Sequence, residues 1–104
     1  MEEKLKLIKE IILKTAKKYG IEVDKIILFG SRARGDYREE SDWDILIITK
    51  GKLDWKKRRS FWLEIVRALP IYVDLIIVDK DLFERKSKYV GNIAHEAKIE
   101  GIVI

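Results

Sequence analysis

Apolar residues return at three- and four-residue intervals at the start of the chain, at Leu5, Ile8, Ile12, Ala16 and Tyr19, with lysine and glutamate between them. That period predicts a helix with one buried face, and Gly20 supplies its left-handed stop. The pattern then changes. Lys25-Ile26-Ile27-Leu28-Phe29 is a short β-rich run ended by Gly30, and Trp43-Asp44-Ile45-Leu46-Ile47-Ile48-Thr49 is a second, ended by Lys50-Gly51. Both read as strands. From Leu53 to Leu69 the helical spacing returns through Phe61, Trp62, Ile65, Val66 and Leu69, and Pro70 closes it. Ile71 to Val78 is a third strand. Asp81 opens a short helical turn, a helix carries Val90, Ile93, Ala94 and Ala97 up to Gly101, and Ile102-Val103-Ile104 is placed to pair on a sheet edge. Helices alternating with about three strands predict an α/β (α+β) fold, a small sheet flanked by helices.

Length and composition narrow the function classes. The 104 residues suit one domain over 1–104 with one core. A chain 47% hydrophobic and 38% charged is too apolar for a disordered polymer and too charged for a membrane protein. No apolar run approaches the roughly 20 residues of a membrane helix, and Met1-Glu2-Glu3-Lys4 is acidic where a signal peptide is basic, so a cytoplasmic protein is expected. Cysteine is absent, which leaves oxygen ligands or the single His95 to hold any metal. The net charge of +4 suits an anionic ligand such as a nucleotide, but acids are interspersed throughout and no direct nucleic-acid binding is expected.

The candidate chemistry lies between the first two strands. Asp42 and Asp44 bracket one residue at the start of a strand, so they share a face with Cα atoms about 6.6 Å apart. Two carboxylates then converge on one site, and paired metal ions in phosphoryl-transfer sites lie close enough for such a pair to bridge them. Asp74, which interrupts the otherwise apolar third strand, is the candidate further ligand, because a lone buried carboxylate there would need a cation. An all-aspartate set suits Mg²⁺. Gly30 lets the backbone approach a phosphate, Ser31 offers a hydroxyl and an amide, and a helix opening near Arg32 would aim N–H groups at the same anion. If this cradle at the end of one strand and the aspartates at the start of the next act on one triphosphate, the first two strands must be antiparallel, which makes the sheet mixed.

Gly30-Ser31, Asp42 with Asp44, and Asp74 occur in the order and strand context of the DNA polymerase β superfamily, and the chain resembles its minimal nucleotidyltransferases (MNT) over essentially its whole length. Gly30-Ser31-Arg32-Ala33-Arg34-Gly35 and the ending Glu100-Gly101-Ile102 are similar to the smallest members. The resemblance implies a polymerase-β-like nucleotidyltransferase fold and transfer of AMP from ATP, with Mg²⁺ as cofactor. Asp42 and Asp44 would hold both ions, Asp74 the ion nearer the acceptor, and Gly30 and Ser31 the β and γ phosphates. It further implies a partner, a HEPN-domain ribonuclease toxin modified on a tyrosine, with this chain as antitoxin.

Two other readings stand beside this one, a protein-binding antitoxin that blocks its toxin sterically and a nucleotidyltransferase acting on a small molecule. The intact aspartate set disfavours the first, and the shortage of residues to enclose an acceptor disfavours the second. Arg32 and Arg34 read as surface charge on their own; beside a phosphate turn Arg34 becomes a candidate contact for ligand or partner, and neither is given a catalytic role. Trp43, Trp55, Phe61 and Trp62 are expected in the core, His95 in a partly exposed structural position, and Lys56-Lys57-Arg58-Arg59 on a solvated helix face.

Overall fold

The computed structural model describes residues 2–89 and 91–104. The chain runs α1 (Glu2–Tyr19), β1 (Val23–Phe29), α2 (Ser31–Arg34), β2 (Trp43–Thr49), α3 (Trp55–Ala68), β3 (Val73–Asp79), α4 (Lys80–Lys86), α5 (Ile93–Glu100) and β4 (Ile102–Val103). The strands form one sheet in the order β3-β2-β1-β4. β1 is antiparallel to β2, β2 is parallel to β3 across the α3 crossover, and β4 is antiparallel to β1. The mixed sheet and the antiparallel first pair are those the sequence predicts.

Alternation along the strands sorts the side chains into two layers. Ile26 and Leu28, Trp43, Ile45 and Ile47, and Leu75 and Ile77 face α1 and α3, where they meet Ile8, Ile12, Ala16, Phe61 and Ile65. Ile27, Phe29, Leu46 and Ile48 face the other way, toward Ala97 of α5, with Ile76, Val78 and Phe83 packed beside them. β2 is thus covered on both faces, which is why it reads as an almost continuous apolar run. Asp44 and Asp74 begin the second, thinner layer.

The ends of the elements follow local chemistry. Gly20 takes φ 67° after α1, and Asp54 caps α3 by accepting from the Lys57 N–H at 2.8 Å. Gly101 turns the chain from α5 into β4 so close to the sheet that a side chain there would overlap the Ala97 carbonyl and Ile27. That turn lets a short fourth strand pair with Ile27 and Leu28, the edge pairing expected of Ile102 to Ile104. Val90, expected on the last helix, lies outside the described residues. Among the described residues no helix is long and apolar enough to cross a membrane.

Two tryptophans depart from expectation. Phe61 is fully buried, but Trp62 is 38% exposed and Trp55 65% exposed. The buried stripe of α3 runs through Phe61 and Ile65, one turn apart. Trp62 sits about 100° around the helix from that stripe. It lies against the sheet edge instead, its indole N–H donating to the Leu75 carbonyl at 2.8 Å. Trp55, in the first turn, falls off the stripe as well. Phe61→Ala is therefore expected to cost about 3–5 kcal/mol and Trp55→Ala no more than about 0.5. Urea unfolding of the two variants checks this; equal losses would contradict the burial.

Candidate active site

β1 ends and α2 begins at Gly30, whose φ of 73° and ψ of −157° fall in a region essentially restricted to glycine. A second restriction comes from across the ladder. Phe29 pairs with Asp44, and a Cβ built on Gly30 would overlap the Asp44 carboxylate. The glycine therefore makes room for an aspartate as well as for any ligand. α2 is a single turn whose Ala33 and Arg34 N–H groups both donate to the Gly30 carbonyl at 3.1 Å, so those two amides are used internally. The Gly35 N–H closes the turn on the Ser31 carbonyl at 2.9 Å, with Gly35 left-handed at φ 88°.

The ladder brings the aspartates together. Asp44 and Asp74 are register partners on the parallel pair β2 and β3, neighbours across the sheet at about 4.8 Å between strands. Asp42 precedes β2 by one residue and is part of the same rim. Asp74 is exposed, where the sequence suggests burial: it opens an edge strand, and its side chain projects beyond the cover that α4 and α5 give to Ile76 and Val78. Asp44 is half-buried, and its carboxyl is pushed above the usual range. Burial is the main cause, followed by repulsion from Asp74 and Asp42; Arg34 pulls the other way more weakly than these, and Glu96 on α5 adds the smallest push upward. An uncompensated oxygen-only cluster of this kind fits a hard cation. Among the described residues no three acidic or histidine side chains are close enough to hold a metal ion as they stand. What the ladder fixes is the backbone placement of Asp44 and Asp74.

Arg34, the candidate ligand contact, lies on the exposed side of α2. Its Nε reaches Asp36 at 3.4 Å and its Nη1 reaches Glu100 at 3.3 Å. Both are long, solvent-exposed pairs of the kind that contribute little and exchange readily. Arg32, surface charge by its sequence, is instead buried at 6% exposure. The only signal for this in the sequence is its place between a strict turn and an aromatic-flanked loop. His95 donates its Nδ1–H to the Ser87 carbonyl at 2.7 Å, the structural position expected, and Lys56 to Arg59 are exposed along α3.

Directly below the aspartates, on the same sheet face, lies a groove of about 450 Å³ lined mainly by Leu46, Ile76, Val78, Phe83, Asn92 and Ile93. Leu46 and Ile76 are the next inward-facing residues after Asp44 and Asp74, roughly 6.6 Å along each strand. The site is thus a charged rim at one end of an apolar groove, between the Gly-Ser turn and the open edge of β3.

Likenesses to known proteins bear on this arrangement. The family described as "Polymerase beta, Nucleotidyltransferase" matches residues 9–104. A protein of Methanocaldococcus jannaschii named "putative protein adenylyltransferase" is 35% identical over 96 residues, spanning 90% of this chain and 94% of that one. A nucleotidyltransferase structure from Sulfolobus solfataricus superposes with a TM-score of 0.61 at 26% identity, covering 98% of this chain and 82% of the other. A structure of a tri-AMPylated HEPN toxin with its MNT antitoxin, from Shewanella oneidensis, is similar in fold at TM-score 0.50 and 22% identity, over 94% of this chain and 69% of that one.

The electrostatics of Asp44 set a stability test. A carboxyl whose folded pKa lies above its unfolded value favours the fold when protonated and opposes it when ionised, so the ionised Asp44 side chain costs stability at neutral pH and the cost disappears as pH falls through its folded value. Without divalent cations, Asp44→Asn is expected to melt above the parent protein at neutral pH, with the gap narrowing as pH falls through the raised folded value of Asp44 and closed below about pH 4. Thermal melts across that range read it out. Gly30→Ala should move the other way, destabilising by more than about 1 kcal/mol through its positive φ and the collision with Asp44.

Proposed function

Because this chain belongs to the polymerase β nucleotidyltransferase family, we propose that it transfers AMP from ATP to a hydroxyl of an acceptor protein, a tyrosine of a HEPN-type toxin, and so acts as an antitoxin. The observation that carries the reading is the placement of Asp42, Asp44 and Asp74 on one sheet face beside the Gly30-Ser31 turn. The Methanocaldococcus relative supports a protein as acceptor, and the toxin–antitoxin neighbour supports its class.

Asp42 and Asp44 would hold Mg²⁺ together with Asp74. Bound there, the ion supplies charge neutralisation for the triphosphate and for the departing pyrophosphate. The residues of the chain do the rest. Ser31 and the backbone at Gly30 hold the β and γ phosphates, and Arg34, released from its two weak surface pairs, adds a charged contact. The groove takes the nucleoside, since it is mainly apolar and its Leu46 and Ile76 follow Asp44 and Asp74 on the same sheet face. Asp74, exposed on the edge strand, faces the side left open to a second protein and is placed to accept the proton of the attacking hydroxyl. The acceptor oxygen forms a bond to the α-phosphorus as the bond from that phosphorus to the bridging oxygen of pyrophosphate breaks.

Asp42→Asn and Asp44→Asn are expected to abolish AMP transfer with the fold retained, read by circular dichroism and by the mass of the acceptor after incubation with ATP and Mg²⁺. Full transfer by both variants would remove the carboxylates from the mechanism. Toxin neutralisation without any adduct, equal in the parent protein and Asp42→Asn, would instead support steric inhibition. Ser31→Ala removes one hydrogen bond to a charged group, worth about 1.5–3 kcal/mol. A corresponding loss in kcat/KM for ATP is expected, and an unchanged value would place the phosphates elsewhere.

A further inference from the structure

Among the described residues Arg32 is the one ionisable side chain that is buried. Its guanidinium makes no ion pair there. Two of its nitrogens are met by backbone: Nε donates to the Ser41 carbonyl at 3.1 Å, and Nη2 lies 2.9 Å from the Ser41 carbonyl, 3.1 Å from that of Glu39 and 3.4 Å from that of Arg38. Two rings hold it flat. Its Cζ lies 4.1 Å from the centre of the Trp43 ring and 4.7 Å from that of Tyr37, both within cation–π range. A planar fork with several donors is what such an arrangement needs, and an ammonium does not provide it.

The segment it grips is the irregular stretch between α2 and β2. This stretch has one tight turn of its own, in which the Ser41 N–H donates to the Arg38 carbonyl at 3.0 Å and the Arg38 N–H to Ser41 Oγ at 2.9 Å. Arg32 holds the residue before Asp42 through the Ser41 carbonyl and the residue after it through the Trp43 ring. The Asp42 carboxylate itself is left exposed, on the same face as Asp44. Burying a guanidinium is costly unless its donors are met, so a buried arginine directed wholly at loop backbone is an expensive way to fill a core. Asp42 has no ladder to hold it, since β2 begins one residue later.

We propose that Arg32 is the positioning residue for Asp42: it clamps the chain on both sides of that carboxylate and thereby fixes where it meets the cation. This rests on the reading of Asp42 as a cation ligand. The groups involved are all within this chain, so the proposal is testable without an acceptor.

The test is Mn²⁺ binding followed by electron paramagnetic resonance, with amide exchange of residues 38–42 measured in metal-free protein. Arg32→Met, similar in reach but without donors, is expected to weaken Mn²⁺ about 10- to 100-fold, as loss of a residue that orients a metal ligand does. It should also speed exchange at 38–42 while the strand amides stay protected. Arg32→Lys keeps the charge without the fork and should lose affinity similarly; it also carries the test if the Met variant does not fold. In an Asp42→Asn background either Arg32 variant should add no further loss, because both act through one carboxylate. Losses that multiply in the double variant, full affinity in Arg32→Lys, or full affinity in Arg32→Met while Asp42→Asn weakens binding would each overturn the role of Arg32. Undiminished Mn²⁺ binding in Asp42→Asn would overturn the cation-ligand reading itself.

Discussion

The contact on which the site depends is the one between Gly30 and Asp44. A half-buried carboxylate sits against a backbone position that has no Cβ, in a conformation other residues do not adopt. Pairing of Phe29 with Asp44 puts the end of β1 and the start of β2 at the same end of the sheet. Pairing of Asp44 with Asp74 carries that alignment to β3. A slip of one residue in either pairing would send an aspartate to the face packed on α1 and α3 and an apolar residue to the site. The large apolar layer against α1 and α3 excludes such slips, so the core that stabilises the sheet also specifies the chemistry.

Much of this is legible in the chain. Strands and long helices announce themselves because their apolar periods are unambiguous, and β2 is bounded by Asp42 and Lys50 at the residues where its pattern stops. The antiparallel first pair follows from a functional requirement, that two halves of a phosphate site must lie at one end of a sheet. The departures share a cause. Hydrophobicity alone places Trp55 and Trp62 in the core, but the stripe of a helix is decided by angle, and Phe61 with Ile65 already fill it. The apolar neighbours of Asp74 in sequence suggest burial, whereas exposure depends on its strand being an edge and on how far α4 and α5 extend. Arg32 resembles surface charge because no local pattern shows that carbonyls seven and nine residues onward will turn back to meet it. Long-range closure of an irregular loop is the least visible feature in a single sequence.

The two faces of the sheet divide stability from function. Against α1 and α3 the layer is thick and holds the aromatic and β-branched residues that are completely buried, including Phe61, Ile45 and Ile47. The opposite layer is smaller, with Ile27, Phe29, Leu46, Ile48 and Ala97 as its buried cluster among the described residues. Its far end is a set of carboxylates that repel one another. The thick layer makes the thin one tolerable: a few unfavourable charges at one rim are a small fraction of what the large core contributes, though large enough to be felt in a domain of ordinary marginal stability.

Precision in this site therefore resides in the parts that cannot move. The ladder register, the positive φ of Gly30 and the carbonyls gripped by Arg32 set where the three aspartate backbones stand, and none of these depends on a ligand. The carboxylates themselves stay uncommitted, half-buried or exposed, and separate rather than joined in a chelate. Such a division suits the proposed centre, which would receive a cation with a triphosphate attached. Carboxylates drawn closer together without a cation would add to the repulsion that already raises Asp44, whereas opposite charge arriving between them would offset it.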